Sequence, residues 1–185
     1  ISENDVAGIQ FGFFNNVHGN IYNIGIGLSN YIINNMYGFQ IGVAFNWSST
    51  GGIYGFQIAG GFNLATNKGI YGFQITGLLN GGKHFRGIQF AGLGNIAVSM
   101  KGVQFAGIMN WALRELMLGF QYATIINLAP EMQGFQISGI INLAMDNMKI
   151  FQFAGIFNWS WKDMNGVHIA GILNLSSGDM VGFKL

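Results

Sequence analysis

Met132-Gln133-Gly134-Phe135-Gln136-Ile137-Ser138-Gly139-Ile140-Ile141-Asn142-Leu143-Ala144 is one copy of a unit that fills the chain. In general form the unit is Gly-Phe-Gln-Ile-Ala-Gly-Ile-x-Asn-Leu-Ala, followed by a variable polar turn and then Met-x before the next glycine. Copies open at Gly8, Tyr22, Gly38, Gly55, Gly72, Gly87, Gly102, Gly119, Gly134, Ile150, Gly166 and Gly182, about sixteen residues apart. A short fixed period marks a repeat architecture, in which each unit is one small element that needs its neighbours. The chain reads as a single tandem-repeat domain over residues 1–185, with degenerate copies in 1–37, regular copies in 38–181 and a partial last copy in 182–185.

Four columns define the unit. The glutamine column runs Gln10, Gln40, Gln57, Gln74, Gln89, Gln104, Gln121, Gln136 and Gln152, and then His168. The asparagine column has no exception: Asn16, Asn30, Asn46, Asn63, Asn80, Asn95, Asn110, Asn127, Asn142, Asn158 and Asn174. A second glycine column holds Gly27, Gly60, Gly77, Gly92, Gly107, Gly139, Gly155 and Gly171, with Thr124 the mildest departure. Two residues ahead of the first glycine stands an apolar column of Met36, Ile53, Ile70, Phe85, Met100, Met117, Met132, Met148, Met164 and Met180. Copies change length only between the Ala after the Asn and this apolar column, so that interval is the tolerant turn.

Within the unit Phe, Ile and the second Gly alternate with Gln and Ala, the period of two that a strand requires. Asparagine tolerates the left-handed conformation and can bond its own backbone, so it is expected to form a second corner. Two all-β architectures use this pattern. In a parallel β-solenoid of about twelve coils of 15–17 residues, identical residues stack, and Gln and Asn side chains hydrogen-bond to the copies above and below. Phe, Ile, the Leu or Trp after Asn, and the Met column are then expected to fill its interior. In a transmembrane antiparallel β-barrel each unit is one strand, with Phe and Trp47, Trp111 or Trp159 as aromatic girdles and Gln and Asn toward the lumen. Up-strands and down-strands of a barrel meet different surroundings, so a barrel should repeat as a hairpin of about 32 residues. Here the single unit repeats, and the solenoid is the expected fold.

Composition excludes several functions. Only 8% of the residues are charged and half are hydrophobic, so something other than a charged surface faces the surroundings. Net charge is +1 with the basic residues dispersed, which leaves no electrostatic footprint for nucleic acid. Without cysteine there is no disulfide, thiolate metal site or Cys nucleophile. Gly, Asn and Gln interrupt every apolar stretch, so no membrane-spanning helix is expected, while a spanning strand stays open. The chain begins at Ile1 without a basic and apolar leader, and is read as mature or a fragment.

The motif Gly-x-Gln-Ile-x-Gly-x-x-Asn, as in Gly134–Asn142 and, with Phe for Ile, Gly102–Asn110, resembles the short surface repeats of exported proteins in spirochaetes, Bacteroidetes and myxobacteria. The resemblance implies a cell-envelope or extracellular setting and no particular activity. This chain departs from that pattern in carrying many aromatics and methionines.

Signatures of catalysis are missing: no Gly-x-Ser-x-Gly elbow, phosphate-binding Gly-Lys-Ser/Thr loop or His-Glu-x-x-His helix occurs. His18, His84 and His168 stand at different repeat positions, and His168 reads as a substitute for a ladder glutamine. Glu131, Asp146, Asp163 and Asp179 fall in four successive turns and could align on a cation such as calcium, but with Lys149 and Lys162 close by they read as a solvated edge. Asn46-Trp47-Ser48, Asn158-Trp159-Ser160 and Asn174-Leu175-Ser176 match the glycosylation sequon as by-products of the repeat. The expected role is therefore a non-enzymatic structural or interaction element, without cofactor or metal, extracellular or on the cell surface, with the outer membrane as a further setting. Its expected partners are further copies of itself, in filaments, or other envelope proteins, with membrane contact open and nucleic acid excluded; an outer-membrane pore is the alternative.

Overall fold

Alternation of inward and outward side chains makes almost every residue of the unit a strand residue, and short breaks bend the strand into a coil. The computed structural model describes residues 4–185 and shows a parallel β-solenoid of about 11 turns, with no helix among the described residues. Residues 1–3, the start of the expected degenerate copies, lie outside the described residues. By compactness the chain divides into a unit of residues 1–92 and a unit of residues 93–185.

The first unit contains β1 (Val6–Val17), β2 (Ile21–Ile32), β3 (Met36–Ser48), β4 (Ile53–Ala59), β5 (Phe62–Thr76) and β6 (Leu79–Ala91). In the second unit follow β7 (Gly94–Ala106), β8 (Met109–Ala112), β9 (Met117–Ala123), β10 (Ile126–Ala129), β11 (Met132–Ser138), β12 (Ile141–Ala144), β13 (Met148–Ala154), β14 (Phe157–Ser160), β15 (Met164–Ala170), β16 (Leu173–Ser176) and β17 (Met180–Lys184). A coil is one long strand, a corner such as Gly139-Ile140, one short strand and a polar return segment. Long strands β9, β11, β13, β15 and β17 pair in parallel with identical columns opposite one another, and short strands β8, β10, β12, β14 and β16 do the same. Within each unit the parallel pairing of copy with copy rules out the antiparallel barrel.

Strand parity decides what lies inside. Along β11, Met132, Gly134, Gln136 and Ser138 are buried, while Gln133, Phe135 and Ile137 point away from them. The core is thus the apolar column, the two amide columns and small residues such as Ala97, Ala112, Ala129 and Ala144. This corrects the expectation for Phe, Ile and the Leu or Trp after Asn: Phe39, Phe56, Ile58, Trp47 and Trp159 are outward, each roughly 40% exposed. The side chains that do enter are those a thin coil can hold, two amides, a methionine and small residues.

The first glycine of the unit has φ between 99° and 144° in every copy that keeps it, a conformation close to glycine-only. A Cβ on Gly134 would also collide with the carbonyl oxygen of Gly119 one coil earlier. Ile150 occupies this column with φ 97°, the one positive φ among described non-glycine residues. Ile150→Gly is accordingly expected to stabilise the fold by about 1–3 kcal/mol, read as an upward shift in the urea midpoint. An unchanged or lower midpoint would mean that packing of the isoleucine outweighs its backbone strain.

Asparagine does not make the corner, since none has a positive φ; it points inward from the short strand. Three alignments near the start of the chain also differ from the sequence reading. Asn15, not Asn16, stacks on Asn30, and Asn23, not Tyr22, stands opposite Gly8 and Gly38. Gly27 pairs with Gly42, which pairs with Ala59, one place before the column of Gly60. The cause is corner length: Gly12 and Gly27 precede their Asn by three residues and Gly42 by four, and the register shifts between Gly27 and Ser29.

Candidate functional site: amide ladders inside, apolar columns outside

Stacking copies in parallel brings each amide within reach of its counterpart one coil away. In the first unit Asn15 Nδ2 donates to Asn30 Oδ1 at 2.7 Å, Asn30 to Asn46 at 2.7 Å, Asn46 to Asn63 at 2.9 Å and Asn63 to Asn80 at 3.0 Å. The second unit repeats the pattern through Asn95, Asn110, Asn127, Asn142, Asn158 and Asn174 at 2.8–2.9 Å. Glutamines form the second ladder: Gln57 on Gln40, Gln74 on Gln57 and Gln89 on Gln74, then Gln121 on Gln104, Gln136 on Gln121 and Gln152 on Gln136, at 2.7–2.9 Å. The polarities oppose. Each Asn donates to the later copy, and each Gln to the earlier one.

Asparagine has a second duty. Its amide also donates to the main-chain carbonyl that enters the next corner: Asn63 to Ile75 at 2.9 Å, Asn127 to Ile137 at 2.7 Å and Asn142 to Phe153 at 2.7 Å. A buried carbonyl left without a partner costs about 1–3 kcal/mol, and the other short residues cannot reach two acceptors at once. That accounts for a column without exceptions beside a glutamine column that has two inside the stack, besides Lys184 in the partial last coil.

The first exception is Gly25, which stands between Gln10 and Gln40 in the register. Gln10 Oε1 and Gln40 Nε2 are both buried without a hydrogen-bond partner. With the polarity of this ladder, a glutamine at 25 would donate to the former and accept from the latter. A Cβ there meets nothing closer than 3.6 Å. Gly25→Gln is expected to raise stability by about 2–3 kcal/mol, measured by denaturant unfolding. A neutral or destabilising result would show that the gap does not accept the side chain.

The second exception is His168, 1% exposed, with both ring nitrogens and the facing Gln152 Oε1 unpartnered. Burial outweighs the opposing influence of the Asn165 main chain and, with a smaller effect from Lys184 one coil away, holds the imidazole below the ordinary value of 6.5. The unfolded chain thus binds the proton more readily than the folded one. Stability from the neutral ring is complete above about 6.5 and is lost as pH falls toward the folded value. Unfolding followed between pH 7 and 5 is expected to show this loss in the parent and not in His168→Gln, whose amide also completes the bond to Gln152. Equal pH profiles would contradict it.

Other residues singled out in the sequence go elsewhere. Asn46 and Asn158 of two sequons are fully buried in their ladder, closed to modification in the folded chain. Asp146 pairs with Lys162 at 2.7 Å, and Asp163 accepts the main-chain N–H of Asp179 at 2.9 Å, so these turn carboxylates serve the return segments. No cluster of three or more His, Cys, Asp or Glu is placed to hold a metal among the described residues.

No protein-family model, curated protein or solved structure matches the chain. Its own geometry is therefore the guide. On the strands the Gln and Asn columns are turned inward and spent on the copy next to them, and the charged side chains of the described residues stand in the return segments or the outward position beside them, Lys184 apart. What remains outside is columns of large apolar groups. Tyr22, Tyr37, Tyr54 and Tyr71 stack with ring centroids 5.0–5.3 Å apart, and Phe39, Phe56 and Phe73 at 4.8–4.9 Å. Arg86 closes the tyrosine column with its guanidinium 5.4 Å over Tyr71. On the short-strand side Phe14, Tyr31, Phe45 and Trp47 line a shallow groove. Sequence reasoning missed this surface by assigning its residues to the interior.

Proposed function

We infer that the chain is a non-enzymatic contact element of the cell envelope or an extracellular assembly, whose working surface is its apolar exterior. One observation carries the reading: Phe and Ile columns repeat on the outside of coil after coil, while the polar chemistry is closed off in the two ladders. Patches of this extent on a protein in water mark a surface meant to be covered. The ladders supply the stiffness, because each coil is tied to the next by main-chain pairing and by two side-chain bonds. The resemblance of the repeat to exported surface proteins supports the setting.

The test is sedimentation of the purified chain in water without detergent. The parent is expected to associate, and Phe135→Lys combined with Phe151→Lys to associate much less while keeping the parent's circular dichroism and unfolding midpoint. A parent that stays monodisperse at high concentration would sink the reading, as would a charged variant that associates just as well.

A further inference from the structure

The outer columns are graded. Outward positions next to the return segment hold Tyr22, Tyr37, Tyr54, Tyr71, Arg86, Lys101, Gln133, Lys149 and Asn165, with Ala7, Leu118 and Val181 the apolar exceptions. The next outward position on the long strand is Phe, Ile or Val, and the one after it is Ile, Phe, Tyr122 or the terminal Leu185 from the second coil onward. At the corner stand Leu78, Leu93, Ile108, Ile125, Ile140 and Ile156. On the short strand the outward position nearest the return segment holds Tyr31, Trp47, Trp111 and Trp159, with Leu or Ile in most of the other coils. Among the described residues every Asp, Glu, Lys and Arg except Lys184 lies in a return segment or in the outward position beside it. Each unit shows this gradient on its own.

We propose that the solenoid inserts corner-first into one leaflet of a lipid bilayer, with its return segments left in water. The proposal rests on the reading that the exterior is the working surface, and adds what covers it. Charged and polar groups, then Tyr, Trp, Lys and Arg, then Phe, then Ile and Leu is the order in which a bilayer accepts side chains from water to acyl chain. The depth fits as well. Phe135 to Ile140 is five residues of extended chain, about 17 Å, against about 15 Å for half the hydrocarbon core. Gln133, two residues nearer the return segment, reaches about 23 Å, the level of the headgroups.

A second feature points the same way. Lipid offers no hydrogen bonds, so main-chain groups placed in it must be paired within the protein. At the corners Ile125 N–H donates to Ile108 O at 3.2 Å, Ile141 to Ile125 at 2.9 Å, Ile156 to Ile140 at 3.1 Å and Ile172 to Ile156 at 3.2 Å. The carbonyl entering the corner is taken by the asparagine ladder. In water a surface turn could leave that carbonyl to solvent; here an internal amide is dedicated to it coil after coil. A second copy of the chain could cover one apolar face, but the long face, the corner and the short face are apolar together. Lipid covers all three at once.

The experiment dilutes the full chain from mild detergent into phosphatidylcholine vesicles and follows flotation, with tryptophan quenching by lipids brominated near the headgroup or deep in the acyl chain. The chain is expected to float with the vesicles, with little effect of high salt or of added anionic lipid, because insertion is apolar. With Trp47, Trp111, Trp159 and Trp161 replaced by Phe, a tryptophan introduced by Ile140→Trp should be quenched most by deep bromine, and one introduced by Gln133→Trp by shallow bromine. Ile108→Lys with Ile125→Lys should cut vesicle partition at least about tenfold, with circular dichroism unchanged since both side chains are exposed. Flotation that fails, or a reversed quenching order, would overturn the proposal. Lipid-free particles formed equally with and without vesicles would assign the surface to a second copy, and would leave the contact reading standing without the membrane.

Discussion

Asn127→Asp is expected to cost about 5 kcal/mol at neutral pH, a third or more of the stability of an ordinary domain. The wild-type amide, buried with no exposed surface, donates at 2.9 Å to Asn142 Oδ1 and at 2.7 Å to the carbonyl of Ile137. An aspartate would set a carboxylate oxygen against two acceptors, with no cation beside it. Such a group stays protonated when folded, and releasing its proton only on unfolding costs about 1.4 kcal/mol for each pH unit above its ordinary value near 3.9, roughly 4 kcal/mol at pH 7. The lost donor adds about 1–3 kcal/mol. The sign of the pH effect follows from proton counts: above pH 4 the folded variant holds a proton that the unfolded one releases, so its stability falls as pH rises. Denaturant unfolding of parent and variant at pH 7 and 4 measures the difference. A loss under about 1 kcal/mol that does not change with pH would mean that water reaches the asparagine column.

Much of this architecture was legible before any coordinates, and the part that was misread had left a sign in the sequence. The unbroken asparagine column and the equal spacing of units required identical side chains to stack, and the parallel register of Asn110, Asn127, Asn142, Asn158 and Asn174 is that requirement met. The interior was assigned by hydrophobicity instead of by parity. Met36 and Phe39 are three residues apart, an odd number, so a regular strand cannot point both inward, whereas Met36 and Gln40 are four apart and share a face. Once the buried methionine is fixed, glutamine must be inside and phenylalanine outside. The rule that apolar residues are buried runs one way only, and a narrow coil whose amides satisfy one another can turn it over. Sequence alone could not show the early corners, because a corner shorter by one residue shifts Gly27 without disturbing the spacing of units.

A polar interior of this kind is stable only because it is complete. An amide offers a donor and an acceptor in opposite directions, so a column of them uses every atom except at its ends and its gaps, and those are where unpartnered atoms occur: Gln10, Gln40, Gln152 and His168. The exterior is then free to be chosen for whatever covers it.

The largest single test of the completed column is the pair Gln121→Glu and Gln136→Glu. Gln136 Nε2 donates to Gln121 Oε1 at 2.8 Å, and both side chains are fully buried. A protonated carboxyl has the shape of the amide and keeps one O–H. The acid introduced at position 136 could therefore still donate to position 121, the acid at 121 to Gln104, and Gln152 could still donate to the acid at 136. The ladder survives if both acids stay neutral. Ionising both would place two charges one strand spacing apart, about 5 Å, at a cost of about 3 kcal/mol with an effective dielectric near 20, on top of the desolvation of each. Each folded-state acid therefore stays protonated well above its ordinary value near 4.3. Each single variant should lose about 1.4 kcal/mol per pH unit above that value, and the double variant about 2.7 kcal/mol per unit. At pH 7 the double loss reaches roughly 7 kcal/mol, comparable with the whole stability of a domain, while near pH 4 it almost vanishes. The double variant is thus expected to be unfolded or nearly so at neutral pH and to fold on acidification, by circular dichroism and denaturant titration against the parent at each pH. Losses that are small and independent of pH would show that the glutamines are open to water, and the closed ladder would have to be abandoned.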